Sequence, residues 1–265
     1  MKLICADLRI EYEELDGLVS SLGEQEWHQA TPFYGWSIFD EITHLCYTDS
    51  NTLLAMEDAE AFKIHAQKLV AWMEAGKPLM EFSYANMGQP PVADLLTRWR
   101  EVQERLLQKV QTYNSKDRFP WYGPSMSAQS LITARIMGVW AHGQDIYDTL
   151  KITRKNSDRL RHIAHLGVLT YRWSFVTNQQ KPPKTPPYVE LTAPSGELWS
   201  WGVESTEDYV KGPAVDFCLL VTRRRHLQDL ALKFQGLAAS AWLRIAQSFA
   251  GPPEPGPEPG GRAWD

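Results

Sequence analysis

The sequence predicts a mainly α protein in two parts: a helical bundle over residues 1–178 and a small α+β domain over residues 188–251. Three features lead there. Apolar residues recur at helical spacing through most of the first 178 positions. At Gln179 the composition turns to QQKPPKTPP, which holds too many prolines for a helix and has no apolar period, so 179–187 is a linker. Beyond it, YVELTAPSGELWSWG alternates about Pro194-Ser195-Gly196 as the strands of a hairpin do.

The elements follow in order. Ile4, Leu8, Leu15, Leu18 and Leu22 lie near helical spacing among Glu11, Glu13 and Glu14, so Leu3 to Leu22 is a helix that Gly23 ends. Glu24 to Trp36 is a connector with the aromatic run Pro32-Phe33-Tyr34-Gly35-Trp36. Ser37 and Asp40 have capping-box spacing and open a second helix through His44 to about Met56. Ala59 to Ala75 is amphipathic and stops at Gly76 and Pro78; Pro90-Pro91 starts another helix, Val92 to Tyr113. A long buried helix, SAQSLITARIMGVWAHGQDIYDTL, covers Ser127 to Leu150. Ser157-Asp158 then caps a helix through His162 and His165 to about Phe175. In the second part Ala214 to Arg224 reads as a helix, Leu230 to Gln235 as a strand and Leu237 to Phe249 as a last amphipathic helix. The tail over 252–265 is almost wholly Pro, Gly and Glu at its start, a composition expected to be disordered.

Composition narrows the function classes. With 265 residues, 43% of them hydrophobic, the chain can bury one large core or two smaller ones. A net charge of -5 and a pI near 5.8 argue against nucleic acid as a partner. No uncharged apolar stretch reaches the ~20 residues of a membrane helix. The start, MKLICADLRIEYEEL, turns acidic too soon for a secretory signal. Cys5, Cys46 and Cys218 are odd in number and far apart, so they make neither a disulfide framework nor a zinc knuckle. The expectation is a cytoplasmic monomer or homodimer whose partner is a small molecule.

The chemistry concentrates on the long helix. At ~100° per residue, Leu131, Arg135, Gly138, His142, Asp145 and Thr149 share one stripe beside an apolar stripe of Ile132, Ile136, Val139 and Ile146. A buried row of Arg, His and Asp must be paired, hydrogen-bonded or metal-bound, because leaving it unpaired costs several kcal/mol. Gly138, one turn before His142, leaves a hole in that row. His44 stands inside the second helix and can face His142 across an antiparallel bundle. Two imidazoles do not make a metal site, since a divalent ion wants three or more protein ligands.

PFYGWSIFDEITHL, ARIMGVWAHGQD, RLRHIAHLGV and DFCLLVTRRRH together resemble the DinB-like metal-binding superfamily, and within it the mycothiol-dependent maleylpyruvate isomerase-like proteins. The resemblance runs from Leu3 to Gly251. It implies a DinB-like four-helix bundle that holds a divalent metal, followed by a small α+β domain that helps hold an anionic thiol. By position it makes His44 and His142 metal ligands and places the acidic ligand at Gly138, where this chain has no side chain. Asp145, one turn beyond His142, is the candidate replacement for zinc, nickel or iron. Glu41 and Asp40, about one turn before His44, are further candidates for the missing ligand, against readings in which Asp40 only caps Ser37, Glu41 faces solvent and Asp145 pairs with Arg135 or orients His142. Arg135 could anchor a substrate carboxylate. Three functions stay open: an isomerase or thiol transferase with metal and a low-molecular-weight thiol, a metal-free enzyme using His44 and His142 as acid and base, and a ligand-binding protein without activity. Arg223, Arg224 and Arg225 close a helix whose carbonyl end prefers cations, and Trp36, Tyr47, Trp140 and Trp173 could line a pocket.

Overall fold

The structure is a computed structural model that describes residues 1–262; positions 263–265, the end of the expected disordered tail, lie outside the described residues. It divides into two compact units, Met1–Ile152 and the remainder from Thr153.

The first unit is a four-helix bundle with additions. α1 (Lys2–Val19) buries Ile4, Leu8, Tyr12, Leu15 and Val19, residues at the helical period. A one-turn helix, α2 (Glu24–Trp27), interrupts the expected connector and seats Trp27 in the core. Ser37 caps α3 (Ile38–Glu57) through a full capping box with Asp40. α4 (Ala59–Glu74) and α5 (Leu79–Met87) pack on α3, and α6 (Val92–Val110) returns along it. A two-stranded ribbon, β1 (Arg118–Phe119) with β2 (Met126–Ser127), delivers the chain to α7 (Ala128–Leu150), which Ser127 caps. α1 packs on α7, α7 on α3, α3 on α6 and α6 back on α1, closing the ring. α7 carries 16 buried residues of 23, as a bundle's innermost helix must.

The second unit begins earlier than residue 178. α8 (Leu160–Leu169) and α9 (Tyr171–Thr177) follow, the expected single helix being broken at Thr170, and they pack on elements that lie beyond the linker. The reason is close approach. A Cβ on Gly167 would sit 3.0 Å from Phe217 and Val221, so glycine lets α8 lie directly on α10 (Ala214–Val221). β3 (Tyr188–Thr192) and β4 (Leu198–Trp201) form the expected hairpin. β5 (Tyr209–Pro213) pairs parallel with β3, and β6 (Lys233–Gln235) closes the order β4-β3-β5-β6. β5 was not legible because Gly212 and Pro213 end it. A Cβ at Gly212, φ +151°, would lie 2.9 Å from the Ala231 carbonyl oxygen. A last short helix, α11 (Leu237–Leu243), starts from Gly236. Residues 252–262 form neither helix nor strand, yet they are tied to the unit: Glu254 N donates to Gln247 Oε1 at 2.9 Å and Gly260 N to Asp229.

Candidate functional site

Antiparallel α3 and α7 bring two charged layers together inside the bundle. In the first, His142 Nδ1 donates to Glu41 Oε2 at 2.6 Å, and Asp145 Oδ2 lies 4.0 Å from the same nitrogen. Glu41, His142 and Asp145 are all buried, and one donor atom from each falls within 4.8 Å of the others. Of the two readings of Glu41, the solvent-facing one is overturned: it is 0% exposed. It belongs to the first turn of α3, where the positive end of the helix favours a carboxylate, and its side chain turns inward. Thr31 Oγ1 donates to its second oxygen, Oε1, at 2.8 Å. His44 is next to this group without being part of the triad; its ring centroid is 4.7 Å from that of His142.

The connector's aromatic run closes over the two histidines. Phe33 meets the His142 ring edge-on at 5.3 Å, and Trp36 lies 6.1 Å from His142 and 5.3 Å from His44. Tyr34 and Gly35 take consecutive left-handed conformations, φ +54° and +70°, which turn the chain sharply there.

The second layer lies eight residues along α3 and seven back along α7, roughly 10–12 Å away at 1.5 Å per residue. Asp49 accepts Arg135 Nε at 2.7 Å, Tyr12 OH at 2.8 Å and Trp99 Nε1 at 3.2 Å. Burial works against the charge of Arg135, but the Asp49 carboxylate beside it, together with Tyr12, more than offsets that and raises its pKa. The hole left at Gly138 is filled by this guanidinium: a Cβ there would be 3.2 Å from Arg135 Nη1. Arg135 Nη2 is buried and has no hydrogen-bond partner among the described residues.

Reading the sequence missed Asp49, Thr31, Tyr12 and Trp99. Asp49 left a trace, since it falls in the apolar row Ile42, Leu45, Cys46 and Leu53, all buried. Nothing in sequence spacing ties Thr31 to Glu41. Other candidates lie elsewhere. His165 is exposed and accepts Trp201 Nε1 at 3.1 Å. Tyr47 belongs to an aromatic group with His65 and Phe82, Trp140 is buried on α7, and Trp173 donates to the Phe249 carbonyl in the second unit. Arg223, Arg224 and Arg225 are buried, and each donates to a backbone carbonyl.

Residues 8–147 match the family model described as the mycothiol maleylpyruvate isomerase N-terminal domain. The chain belongs to that family. Within it, two uncharacterised proteins of Mycobacterium tuberculosis, from strains CDC 1551 / Oshkosh and ATCC 25618 / H37Rv, are each 42% identical over 248 residues, covering 94% of this chain and 95% of theirs. A crystal structure of the mycothiol-dependent maleylpyruvate isomerase superposes with a TM-score of 0.54 at 14% identity, over 84% of this chain and 89% of that one. A histidine-to-alanine mutant of that enzyme gives 0.53 at 13% over the same shares. These structures share the DinB-like helical fold that the family's sequence segments suggested. Residues 183–233 are similar to a second family model, described as wyosine base formation. No helix among the described residues is long and apolar enough to cross a membrane.

Proposed function

We propose that the bundle carries a metal-assisted, thiol-dependent isomerase or transferase acting on a small organic acid or electrophile. Glu41, His142 and Asp145 would hold the metal, with His44 alongside. One observation carries this reading: two buried carboxylates and an imidazole converge within 4.8 Å, a donor set that suits zinc, nickel or iron. Glu41, arriving from α3, would supply the carboxylate that position 138 lacks. The proton between His142 Nδ1 and Glu41 Oε2 is the one a cation would replace. A divalent metal bound there would supply Lewis-acid polarisation of a carbonyl and a lowered pKa for a coordinated thiol.

The chain's own residues define the rest. All three of its cysteines are buried, and burial pushes the Cys46 thiol up to about 12, so a thiol nucleophile must come from outside. The family's name points to mycothiol as that thiol. Phe33 and Trp36 screen the histidines from water and offer an apolar wall. Arg135, clamped by Asp49, keeps a positive charge two turns from His142 along α7, and its Nη2 is the donor for a substrate carboxylate.

Protein loaded with zinc and desalted should retain close to one equivalent by elemental analysis, and Glu41→Gln or His142→Ala should retain far less. Equal retention by parent and variants would remove these residues from the metal site. A second reading draws on the 2.6 Å His142–Glu41 contact itself, which resembles an oriented general base that needs no metal. Turnover of an electrophile by metal-stripped protein, lost in His142→Ala, would favour it.

A further inference from the structure

We infer that Thr31 is a positioning residue that ties the aromatic loop over the site to the carboxylate of Glu41; the inference rests on the proposed metal site for its principal test. The Thr31 hydroxyl bonds in two directions. It donates to Glu41 Oε1 at 2.8 Å and accepts the Phe33 backbone N–H at 3.2 Å. Its own backbone N–H donates to the Trp36 carbonyl at 2.6 Å, and Ile38 N donates to the Gln29 carbonyl below, so the loop is clasped at its base. Thr31 is 3% exposed, which spares these bonds competition from water. A single hydroxyl thus joins the loop bearing Phe33 and Trp36 to one oxygen of Glu41 and leaves the other oxygen directed at His142.

The physical consequence is directional. A carboxylate free to rotate presents either oxygen, whereas a donor fixed on Oε1 commits Oε2 to the imidazole or to a cation in its place. The same bond makes the carboxylate's orientation depend on the loop. Tyr34 is held left-handed at φ +54°, a conformation that costs a non-glycine residue energy and persists only where its surroundings impose it. The loop is therefore built to one shape, and Thr31 passes that shape to the ligand.

The test compares Thr31→Val, which keeps the volume and loses the hydroxyl, with Thr31→Ser, which keeps the hydroxyl. Thr43→Val serves as a control, because Thr43 is equally buried on α3 and its hydroxyl has no partner among the described residues. By calorimetric titration with zinc, Thr31→Val should bind about 10–100-fold more weakly than the parent, the usual range for losing an outer-shell partner. Thr31→Ser and Thr43→Val should stay within about threefold of the parent. An unchanged zinc affinity in Thr31→Val would overturn the inference. If the parent itself binds no zinc, the metal reading fails, and the inference is then judged in metal-free protein. There the downfield proton resonance of His142 Nδ1–H, assigned by its loss in His142→Gln, should move in Thr31→Val and hold in Thr31→Ser. A resonance that does not move in Thr31→Val would overturn the positioning role on its own. If Thr31→Val fails to fold, Thr31→Ala is measured by the same two readouts.

Discussion

A guanidinium 3.2 Å from where a side chain at position 138 would begin decides what a carboxylate placed there would meet. In an empty hole, Gly138→Glu would bury an unpaired charge and destabilise the metal-free protein. Against Arg135 it gains a counter-ion, as well as the roughly 0.5–1 kcal/mol by which an ordinary helix residue exceeds glycine. The comparison is best made through Asp49. Asp49→Asn breaks a buried ion pair in which Tyr12 and Trp99 also share, and should cost about 3–5 kcal/mol by urea denaturation. In the Gly138→Glu background the same substitution should cost at least about 1 kcal/mol less, because Arg135 keeps an anionic partner. Additive effects in the double variant would mean that Arg135 does not reach position 138 in solution.

At the scale of elements, α3 organises the bundle, and its first turn is set by the capping box. Ser37 Oγ accepts Asp40 N at 3.2 Å while Asp40 Oδ2 accepts Ser37 N at 2.7 Å. Ser37→Ala should cost about 1 kcal/mol of stability, measured by denaturant midpoint at unchanged slope. α3 also meets α4 through Tyr47, whose hydroxyl pairs with His65 Nε2 at 2.8 Å. Burial lowers the His65 pKa, and Lys68 adds to the effect. A folded-state pKa below the ordinary imidazole value of about 6.5 means that the fold favours the neutral ring. Its contribution is present above pH 6.5 and is lost as the pH falls through the lowered value. His65→Gln, which keeps a partner for Tyr47, should flatten the acid side of the melting-temperature profile; parallel profiles would show that His65 does not titrate with folding.

For the whole molecule the informative segment is the tail. Pro- and Gly-rich sequence buries little and pays a large ordering entropy, which argues for a detached end. Residues 252–262 nonetheless hydrogen-bond to Gln247 and Asp229, and Gly256 lies over the Arg223 side chain. Burial pushes the Arg223 guanidinium's pKa down while Glu254 pulls it up. Truncation after Gly251 should therefore lower the melting temperature of the second unit by roughly 4 °C, the shift for about 1 kcal/mol between the ranges for 60–100 and 150–250 residues. An unchanged melting curve would show that these hydrogen bonds add nothing net.

Local rules in the sequence were enough for much of the fold. The period of apolar residues determined α1, α3, α4, α6 and α7, the Ser37–Asp40 spacing determined a helix start, and alternation about Pro194-Ser195-Gly196 determined the β3–β4 hairpin. These depend on neighbours within a few residues, which a single sequence displays directly. Packing between distant segments decided the rest. Residues 1–152 and not 1–178 form the first unit because Gly167 seats α8 on α10, 50 positions later. Glu41 turns inward because His142 and Thr31 are there to receive it, and Arg135 fills the space over Gly138 because Asp49 holds it in place. A buried charge needs a partner, but only the tertiary structure decides which residue it will be.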